Sequence, residues 1–376
     1  MKVEQACQAA FARHETFQPR WSWFRKAYQS AEDDPGVFNS EDAMLRLGVG
    51  KNMVKSIRFW AEASKILAPV ADPQRPRVSH MVPTPIGKAI FSDDGWDPYC
   101  EMAGTLWLLH WLLLAPQSLL PVWWLSFNEF NAVEFTTGEL TTFCMDTLSA
   151  VSMWTTPTEG SVSKDVATFS RAYGGGAQEG RRVSFDDVAD SPLRELRLVR
   201  SVQAPRRSLR FSTGAKAGLP PAIAAYACLD FLARTEASAR TAMVSRLVSE
   251  PGAPGRVYRL TEDVLIDLLE KAAITGTVSL SRPGGVAQLV FDKDASEAGA
   301  EMLANYYGSA PNVPGELLAG PKAGAAPEGA PTLGPEIPPP SPVGKRSGLP
   351  LDSGPPQDVL KRLDHLQDRS DAGMSK

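Results

Sequence analysis

Four carboxylates lie close together in the segment SDDGWDPYCE, and their types and spacing are those of a possible metal site. They are Asp93, Asp94, Asp97 and Glu101. Carboxylate oxygens are the ligands that Mg²⁺ prefers, and a Mg²⁺ ion held in this way promotes cleavage of phosphate esters. Acids beside glycine and proline more often form a capped turn before a helix, here the helix that carries Trp107. We favour the capped turn and assign no metal ligand.

The familiar patterns of catalytic residues do not occur in the sequence. His14 and Glu15 are adjacent, but no second histidine follows four residues later, so the helical motif of zinc proteases is missing. The sequence also lacks the phosphate-binding pattern GxxxxGK[ST] and the nucleophile pattern GxSxG. We expect His110 to be a hydrogen-bonded core residue and His80 to be solvated. We therefore assign no catalytic residue and no cofactor, and the sequence favours a protein that is not an enzyme.

A basic set of residues follows a glycine-rich turn in the segment LGVGKNMVKSIRFWAEASKIL. Lys51, Lys55 and Arg58 recur at helical spacing on one face, and Asn52 lies near the start of the same helix. In a DNA-binding helix-turn-helix, the N-terminal residues of the second helix meet base edges and its cations meet phosphate groups. The spacing predicts that these four residues contact DNA.

The surrounding residues predict a helix, a tight turn and a second helix. Asn39 or Ser40 caps a first helix that ends near Leu47, Gly48–Gly50 form the turn, and the second helix runs from Lys51 to about Lys65. The residues of the second helix that should pack on the first recur at three and four: Val54, Ile57, Ala61 and Ser64.

Two short strands joined by a basic loop are predicted directly after this helix pair. The strands are Leu67 to Val70 and Val78 to Val82, and Arg75 and Arg77 lie between them. A hairpin in this place is typical of the winged form of the motif, whose loop contacts the minor groove or phosphates. The alternative is that the helix pair is only a packing unit, with its lysines and arginines forming a solvated face.

Aromatic residues and cations alternate in a segment near the start of the chain, HETFQPRWSWFRKAY. We expect Trp21, Trp23 and Phe24 to face inward from an amphipathic helix. Arg20 and Lys26 either extend the basic surface of the helix pair or are simply solvated, and the sequence leaves both readings open.

The predicted fold class is mainly α, of the α+β type, with winged-helix-like elements in two units. The N-terminal unit spans residues 11–160 and has its winged element at about 38–90. A loop or hinge spans 161–192, and the C-terminal unit spans 193–292. The second unit also has a hairpin after a helix, but the helix at 261–271 is acidic. Protein contact or structural support is therefore favoured there over DNA contact.

The end of the chain is rich in proline, glycine and alanine. Residues 311–376 have too few apolar side chains to offset the entropy of ordering the chain, so we expect a disordered tail. Within it, the spacing of leucines predicts a short amphipathic helix at 357–368. Such a helix is either a docking peptide or a terminus without a role.

Composition bounds the class of protein. The 376 residues carry a formal charge of -4, so any contact with nucleic acid must be a local patch.

The four cysteines form no CxxC pair and are expected to be reduced thiols, and the first residues lack the apolar core of a signal peptide. Residues 105–125 have no charge, but Pro116 and Pro121 divide them, so we expect a core helix and not a membrane span. We expect a cytoplasmic protein.

Several segments together resemble one family. They are FARHETFQPRWSWFRKAY, LGVGKNMVKSIRFWAEASKIL, the segments around TPIGKAIF and GWDPYCEMAGTLWLLHWLLL, WWLSFNEF and PGAPGRVYRL. The sequence is similar over about residues 11–292 to the bacterial domain-of-unknown-function family numbered 4007, whose members are often encoded near genes of DNA phosphorothioation and phage defence. The resemblance implies a component of a DNA-modification or restriction system, and it lends no catalytic residue.

Together these features predict a DNA-binding component of a bacterial phosphorothioation-linked DNA-modification or phage-defence system. The residues expected to bind DNA are Lys51, Asn52, Lys55, Arg58, Arg75 and Arg77. The expected partners are DNA and other subunits of such a complex, with no membrane contact. The first alternative is an adaptor that uses the same helices to hold partner proteins. A metal-dependent nuclease that uses the acids near Asp97 is the weaker alternative.

Overall fold

The computed structural model describes residues 1–72, 74–174, 191–202 and 208–308, and these residues form an α+β fold of many helices and three small antiparallel sheets. The α-helices are α1 (Val3–Ala6), α2 (Trp21–Asp33), α3 (Ala43–Leu47), α4 (Lys51–Ala63), α5 (Pro85–Phe91), α6 (Ala103–Leu114), α7 (Pro121–Asn128), α8 (Thr137–Ser149), α9 (Glu159–Phe169), α10 (Pro221–Thr235), α11 (Val244–Ser249), α12 (Pro254–Val257), α13 (Glu262–Ala272) and α14 (Ala295–Tyr307). The predicted tail at 311–376, with its helix at 357–368, lies outside the described residues.

The eight strands of the described residues are short. They are β1 (Leu67–Ala71), β2 (Ser79–Pro83), β3 (Glu134–Phe135), β4 (Val199–Val202), β5 (Ser208–Phe211), β6 (Thr241–Met243), β7 (Ser279–Ser281) and β8 (Gln288–Val290). The first sheet is the hairpin β1–β2, in which Leu67 is opposite Pro83 and Ala71 is opposite Ser79. The other sheets have the strand orders β3-β5-β4 and β6-β8-β7. Both predicted hairpins are therefore present, and the strands of the first differ from their predicted bounds by at most one residue at either end.

Helix α6 lies at the centre of the core. It is apolar on every side, and its residues from Gly104 to Leu114 are all buried. The chain leaves this helix before Pro116 and begins α7 at Pro121, where proline can occupy the first helical position. The predicted core helix is thus confirmed. No helix among the described residues is long and apolar enough to cross a bilayer.

The polar side chains of α6 are satisfied by distant parts of the chain. The ring of His110 donates from Nε2 to the carbonyl of Val257 at 3.0 Å and accepts at Nδ1 from the Tyr173 hydroxyl at 2.7 Å. Trp111 donates to the carboxylate of Asp230 on α10 at 2.7 Å. Burial lowers the pKa of His110 to about 4, so the ring is neutral at ordinary pH. His110 is therefore a hydrogen-bonded core residue, as its position in the sequence predicted.

Lys65, just beyond α4, caps the C-terminal end of α6. Its ammonium donates to the carbonyl of Leu112 and, at 3.1 Å, to that of Ala115. A cation is favoured at this end because the helix dipole places negative partial charge there. Burial, reinforced by Arg234, lowers the pKa of Lys65 to about 7. The end of α4 is thereby held against the central helix.

Helices α3 and α4 follow one another across the short turn at residues 48–50. Gly48 has a φ of 63°, a left-handed conformation that glycine adopts without steric cost, and it ends α3. The residues predicted to face inward from α4 are all buried: Val54, Ile57, Ala61 and Ser64. The cap differs from the prediction, because residues 37–39 form a 3₁₀ turn and α3 begins only after Asp42.

Residues on both sides of the predicted hinge at 161–192 share one hydrophobic core, which runs from Val3 to Leu303. The first part of that hinge is helical, since α9 continues to Phe169 and a π-helical turn follows at Ser170–Gly174. The many small and polar residues of this segment predicted a loop, because they make its short apolar stripe hard to recognise in the sequence. The remainder, 175–190, lies outside the described residues.

The buried position of Lys65 predicts a pH dependence of stability. The unfolded chain holds its proton up to an ordinary pKa of 10.5, whereas the folded protein releases it near pH 7. Between these values the unfolded state binds more protons, so stability rises with pH, by about 1.4 kcal/mol per unit at most. In urea unfolding, we expect the wild type to gain stability from pH 7.5 to 9.5 relative to Lys65→Met. Parallel pH profiles of the two proteins would contradict this.

Candidate nucleic-acid interface

An open groove of about 620 Å³ lies at the N-terminal end of α4. Its lining residues come from the segment before α2, the turn between the two helices and the first turn of α4: Phe17, Arg20, Gly48, Val49, Gly50, Lys51, Asn52 and Met53. The N–H groups of the first turn of a helix have no partner within the helix, and the helix dipole adds positive potential there. In the part of the chain that the structure describes, two cations and no acid line the groove, so it suits an anion.

The four predicted residues of α4 have different surroundings. Lys51 and Asn52 are exposed at the groove, with no hydrogen bond or ion pair to another described residue. Lys55 is exposed but pairs with Glu15, with 3.0 Å between Nζ and Oε1. Lys51 and Asn52 are therefore the members of the set that a ligand reaches without displacing a protein partner.

Arg58 is held by the protein itself. Its guanidinium donates to Asn39 Oδ1 at 3.1 Å and to Ser79 Oγ at 2.8 Å, and burial lowers its pKa. These two bonds join α4 to the 3₁₀ turn before α3 and to strand β2. Arg58 fixes the position of the hairpin relative to α4.

The loop of the hairpin β1–β2 carries the other two predicted residues. Arg75 pairs with Asp72, with 3.0 Å between Nε and Oδ2, whereas the exposed Arg77 has no partner among the described residues. The backbone N–H of Gln74 is the main cause that lowers the pKa of Asp72 to about 2, with Arg75 and His80 adding to it. His80 was predicted to be solvated. It is instead half-buried, with 3.3 Å between its Nε2 and Asp72 Oδ2.

The acids near Asp97 form a capped turn. The Asp97 carboxylate is 5% exposed and accepts from the backbone N–H groups of Glu101 and Met102 and from the Thr105 hydroxyl. Asp93 pairs instead with Arg25. Among the described residues, no group of three or more His, Cys, Asp or Glu side chains is placed to hold a metal ion. The turn before α6 is therefore explained by its own hydrogen bonds.

His14 is a buried structural residue. Its Nε2 donates to Asp165 Oδ1 at 2.6 Å, and its Nδ1 accepts from the backbone of Thr16 at 3.1 Å. The ring is stacked on Trp60 of α4, 5.9 Å between centroids. The pair attaches the segment that carries Phe17 and Arg20 to α9, and so positions one wall of the groove.

A family model matches residues 11–307 of the chain, and it describes a protein of unknown function, DUF4007. The chain belongs to the DUF4007 family. The match includes the groove, the hairpin and α14, and so extends beyond residue 292, where the resemblance seen in the sequence ended. No curated protein matches the chain.

Two solved structures are similar to this DUF4007 protein. The one named "Magnesium ion-bound SspB crystal structure" is 35% identical, with a TM-score of 0.78, and the match covers 83% of this chain and 92% of that one. The one named "SspB crystal structure" is also 35% identical, with a TM-score of 0.76, and the match covers 84% and 94%. The similarity therefore spans almost the whole of the solved chains.

Sequence reasoning left Arg20 and Lys26 undecided, and the structure separates them. Arg20 lines the groove, while Lys26 donates to the carbonyl of Leu47 at 2.9 Å and caps α3. Their sequence spacing carries no signal for this difference. Arg20 immediately precedes α2, whereas Lys26 lies on the face of α2 that meets the end of α3.

The different surroundings of the cations predict different costs of mutation. Arg58→Met leaves Asn39 and Ser79 without their shared donor, so we expect a loss of about 1–2 kcal/mol in the free energy of unfolding. Lys51→Met removes an exposed side chain, so we expect a change within about 0.5 kcal/mol. Urea unfolding of both variants measures the difference, and equal losses would show that Arg58 is not held as described.

Proposed function

We propose that this DUF4007 protein binds DNA at the groove formed by the start of α4. The observation that carries the proposal is that Lys51, Asn52 and Arg20 line one groove at the N-terminal end of α4, where the first backbone N–H groups have no partner within the helix. Phosphate groups are bound by such N–H groups and cations, and an exposed asparagine can read an adenine edge. The groove is open, so a duplex backbone can reach it.

The order of elements around the groove supports a winged helix-turn-helix as the binding unit. Helix α3, the turn at Gly48–Gly50, helix α4 and the hairpin β1–β2 follow one another without insertion. In proteins of that kind the second helix enters the major groove and the hairpin loop lies against the backbone. Arg77 takes the loop contact here, and Arg75 joins it after release from Asp72.

The C-terminal part of the chain supports a role that differs from DNA contact. Strand β6 precedes α11, and α13 is followed by β7 and β8 in the sheet order β6-β8-β7, the order of strands in a winged helix. Helix α13 presents Glu262 and Asp263 in its first turn. An acidic helix start repels phosphate, so we assign this part to protein contact or support and not to DNA.

We infer the biological setting from the family. The family resemblance implies a place in phosphorothioation-linked DNA modification or phage defence, and the two similar solved structures are both of a protein named SspB. A DNA-binding subunit of such a system needs a patch-like basic site on a chain of net charge -4, which is the kind of site that the groove at α4 provides.

An adaptor role is the second candidate, and one observation favours it. Met44 and Leu45 on α3 are 47% and 84% exposed, next to the proposed DNA site. Exposed apolar side chains of this size are typical of surfaces that bind another protein. In the adaptor, α3 and α4 hold a partner subunit, and the cations of α4 lie at the edge of that protein interface.

The nuclease remains the weaker alternative. One solved SspB structure is named as bound to magnesium ion. Mg²⁺ often binds through one or two carboxylates and several waters. Here Asp97 is already occupied by hydrogen bonds within the chain. Asp97→Ala would damage the turn before α6 whatever its role, so Asp93→Asn and Asp94→Asn are the sharper variants for a test of Mg²⁺-dependent cleavage.

Binding to a duplex of about 30 base pairs, measured over a range of salt concentrations, tests the proposal. Each lost phosphate contact makes the dependence of log K on log salt less steep by about one. We therefore expect Lys51→Gln to weaken binding and flatten this slope by about one, and Lys51→Gln/Arg77→Gln to flatten it by about two.

Lys271→Gln is the matched control, because Lys271 is an exposed lysine on the acidic helix α13, paired with Asp267. It should leave both the affinity and the slope unchanged. Equal binding by wild type and Lys51→Gln/Arg77→Gln would overturn the assignment of the site. Retention of a partner subunit that is lost in Leu45→Asp, without DNA binding by the wild type, would favour the adaptor.

A further inference from the structure

A second basic groove is lined by residues between Tyr173 and Ser201. It has a volume of about 450 Å³ and is lined by the π-helical turn, a 3₁₀ turn at Pro192–Leu196 and strand β4. The lining residues are Tyr173, Gly174, Arg194, Arg197, Val199, Arg200 and Ser201. Among the described residues, three arginines and no acid therefore line this concave site.

Two of these arginines have no ion-pair partner among the described residues. Arg197 and Arg200 are both exposed. Arg200 is directly opposite Arg210 in the pairing of β4 with β5, and like charges in this position destabilise a sheet. Glu134 on β3 pairs with Arg210 and does not line the groove. No carboxylate of the described residues lines the groove to offset the charge of its arginines.

The backbone conformation of Arg197 also favours a functional role for this groove. This residue has a φ of 50°, a left-handed conformation that glycine adopts more easily, and it ends the 3₁₀ turn. An arginine is therefore present where local stability favours glycine. Strained residues of this kind are concentrated at functional sites.

Arg171 connects this arginine groove to the groove at α4. Its guanidinium donates to the carbonyl of Thr16 at 2.6 Å and to Gln18 Oε1 at 3.4 Å, next to Phe17. Its own carbonyl accepts from Arg194 Nε at 3.3 Å. Arg171 therefore contacts both the segment next to Phe17 and Arg194, a residue of the arginine groove. Arg171 is itself a further cation.

We propose that the arginine groove is a second binding site for the phosphate backbone of nucleic acid, in line with the groove at α4. Arg197 and Arg200 hold one or two phosphate groups, since the planar guanidinium donates two parallel hydrogen bonds to phosphate oxygens. This inference rests on the proposed function, and it extends the contact surface from a helix end to a track across the molecule. A strand bound at α4 continues past Arg171 into the arginine groove.

The local structure allows variants that remove charge without harm to the fold. Arg197→Gly removes a cation and relieves the left-handed backbone, and Arg200→Gln removes the repulsion with Arg210. We expect the thermal midpoint of Arg197→Gly/Arg200→Gln to equal or exceed that of the wild type. A residue pair with a purely structural role would lower it instead.

The same variant should bind DNA less tightly. With a duplex of about 30 base pairs, we expect the slope of log K against log salt to flatten by about two, one unit for each arginine. Arg197→Lys/Arg200→Lys should recover much of the slope, because lysine keeps the charge. Arg282→Gln, an exposed arginine paired with Glu270 far along the chain, is the control and should change nothing.

The outcomes separate this inference from the proposed function. If Lys51→Gln weakens binding and the arginine variant does not, the second site is wrong and the first stands. If only the arginine variant weakens binding, the groove at α4 is wrong and the arginine groove stands. If the arginine variant alters binding of inorganic phosphate but not of DNA, the groove holds a small oxyanion and the track is overturned. Wild-type protein that binds no DNA overturns both.

Discussion

The structure depends on the burial of α6, a helix without an exposed face. A helix of this kind must find partners inside the protein for every polar group, since each unpaired one would cost free energy. The partners come from the whole length of the described chain: Lys65 at the C-terminal end, Tyr173 and Val257 at His110, and Asp230 at Trp111. Regions distant in sequence are therefore joined in one core around this helix.

This constraint also determines how α4 is presented. Lys65 binds the end of α6 only if α4 ends in a definite place, and Gly87 lets α5 approach so closely that a Cβ there would lie 2.2 Å from the carbonyl oxygen of Ile66. The C-terminal end of α4 is thus anchored in the core, and its N-terminal end faces solvent. A rigid helix with its free N–H groups outward is well suited to an anion, because little order is lost on binding.

The distribution of cations gives the molecule two kinds of basic residue. Arg58 and Lys26 are used within the fold, where they join α4 to the hairpin and end α3. Lys51, Arg197 and Arg200 line grooves to which residues 1–72, 74–174, 191–202 and 208–308 contribute no acid. A chain with a net charge of -4 therefore still has locally basic grooves, and the exposed apolar residues Met44 and Leu45 of α3 lie beside one of them.

The sequence by itself determined the elements that follow from local rules. The glycine turn, α4 and its buried stripe, the two hairpins, and the division of the apolar segment at Pro116 and Pro121 were all predictable, because periodicity, glycine and proline act over a few residues. The sequence did not predict β3, β4, β5 or α14. The three strands are short, and the hydrophobic pattern of α14 is weak. Only the tertiary structure decided which cations are available. Asn39, Ser79 and Glu15, which engage Arg58 and Lys55, are 19 to 40 residues away in sequence, and the arginine groove is assembled from segments between Tyr173 and Ser201 that only the fold brings together.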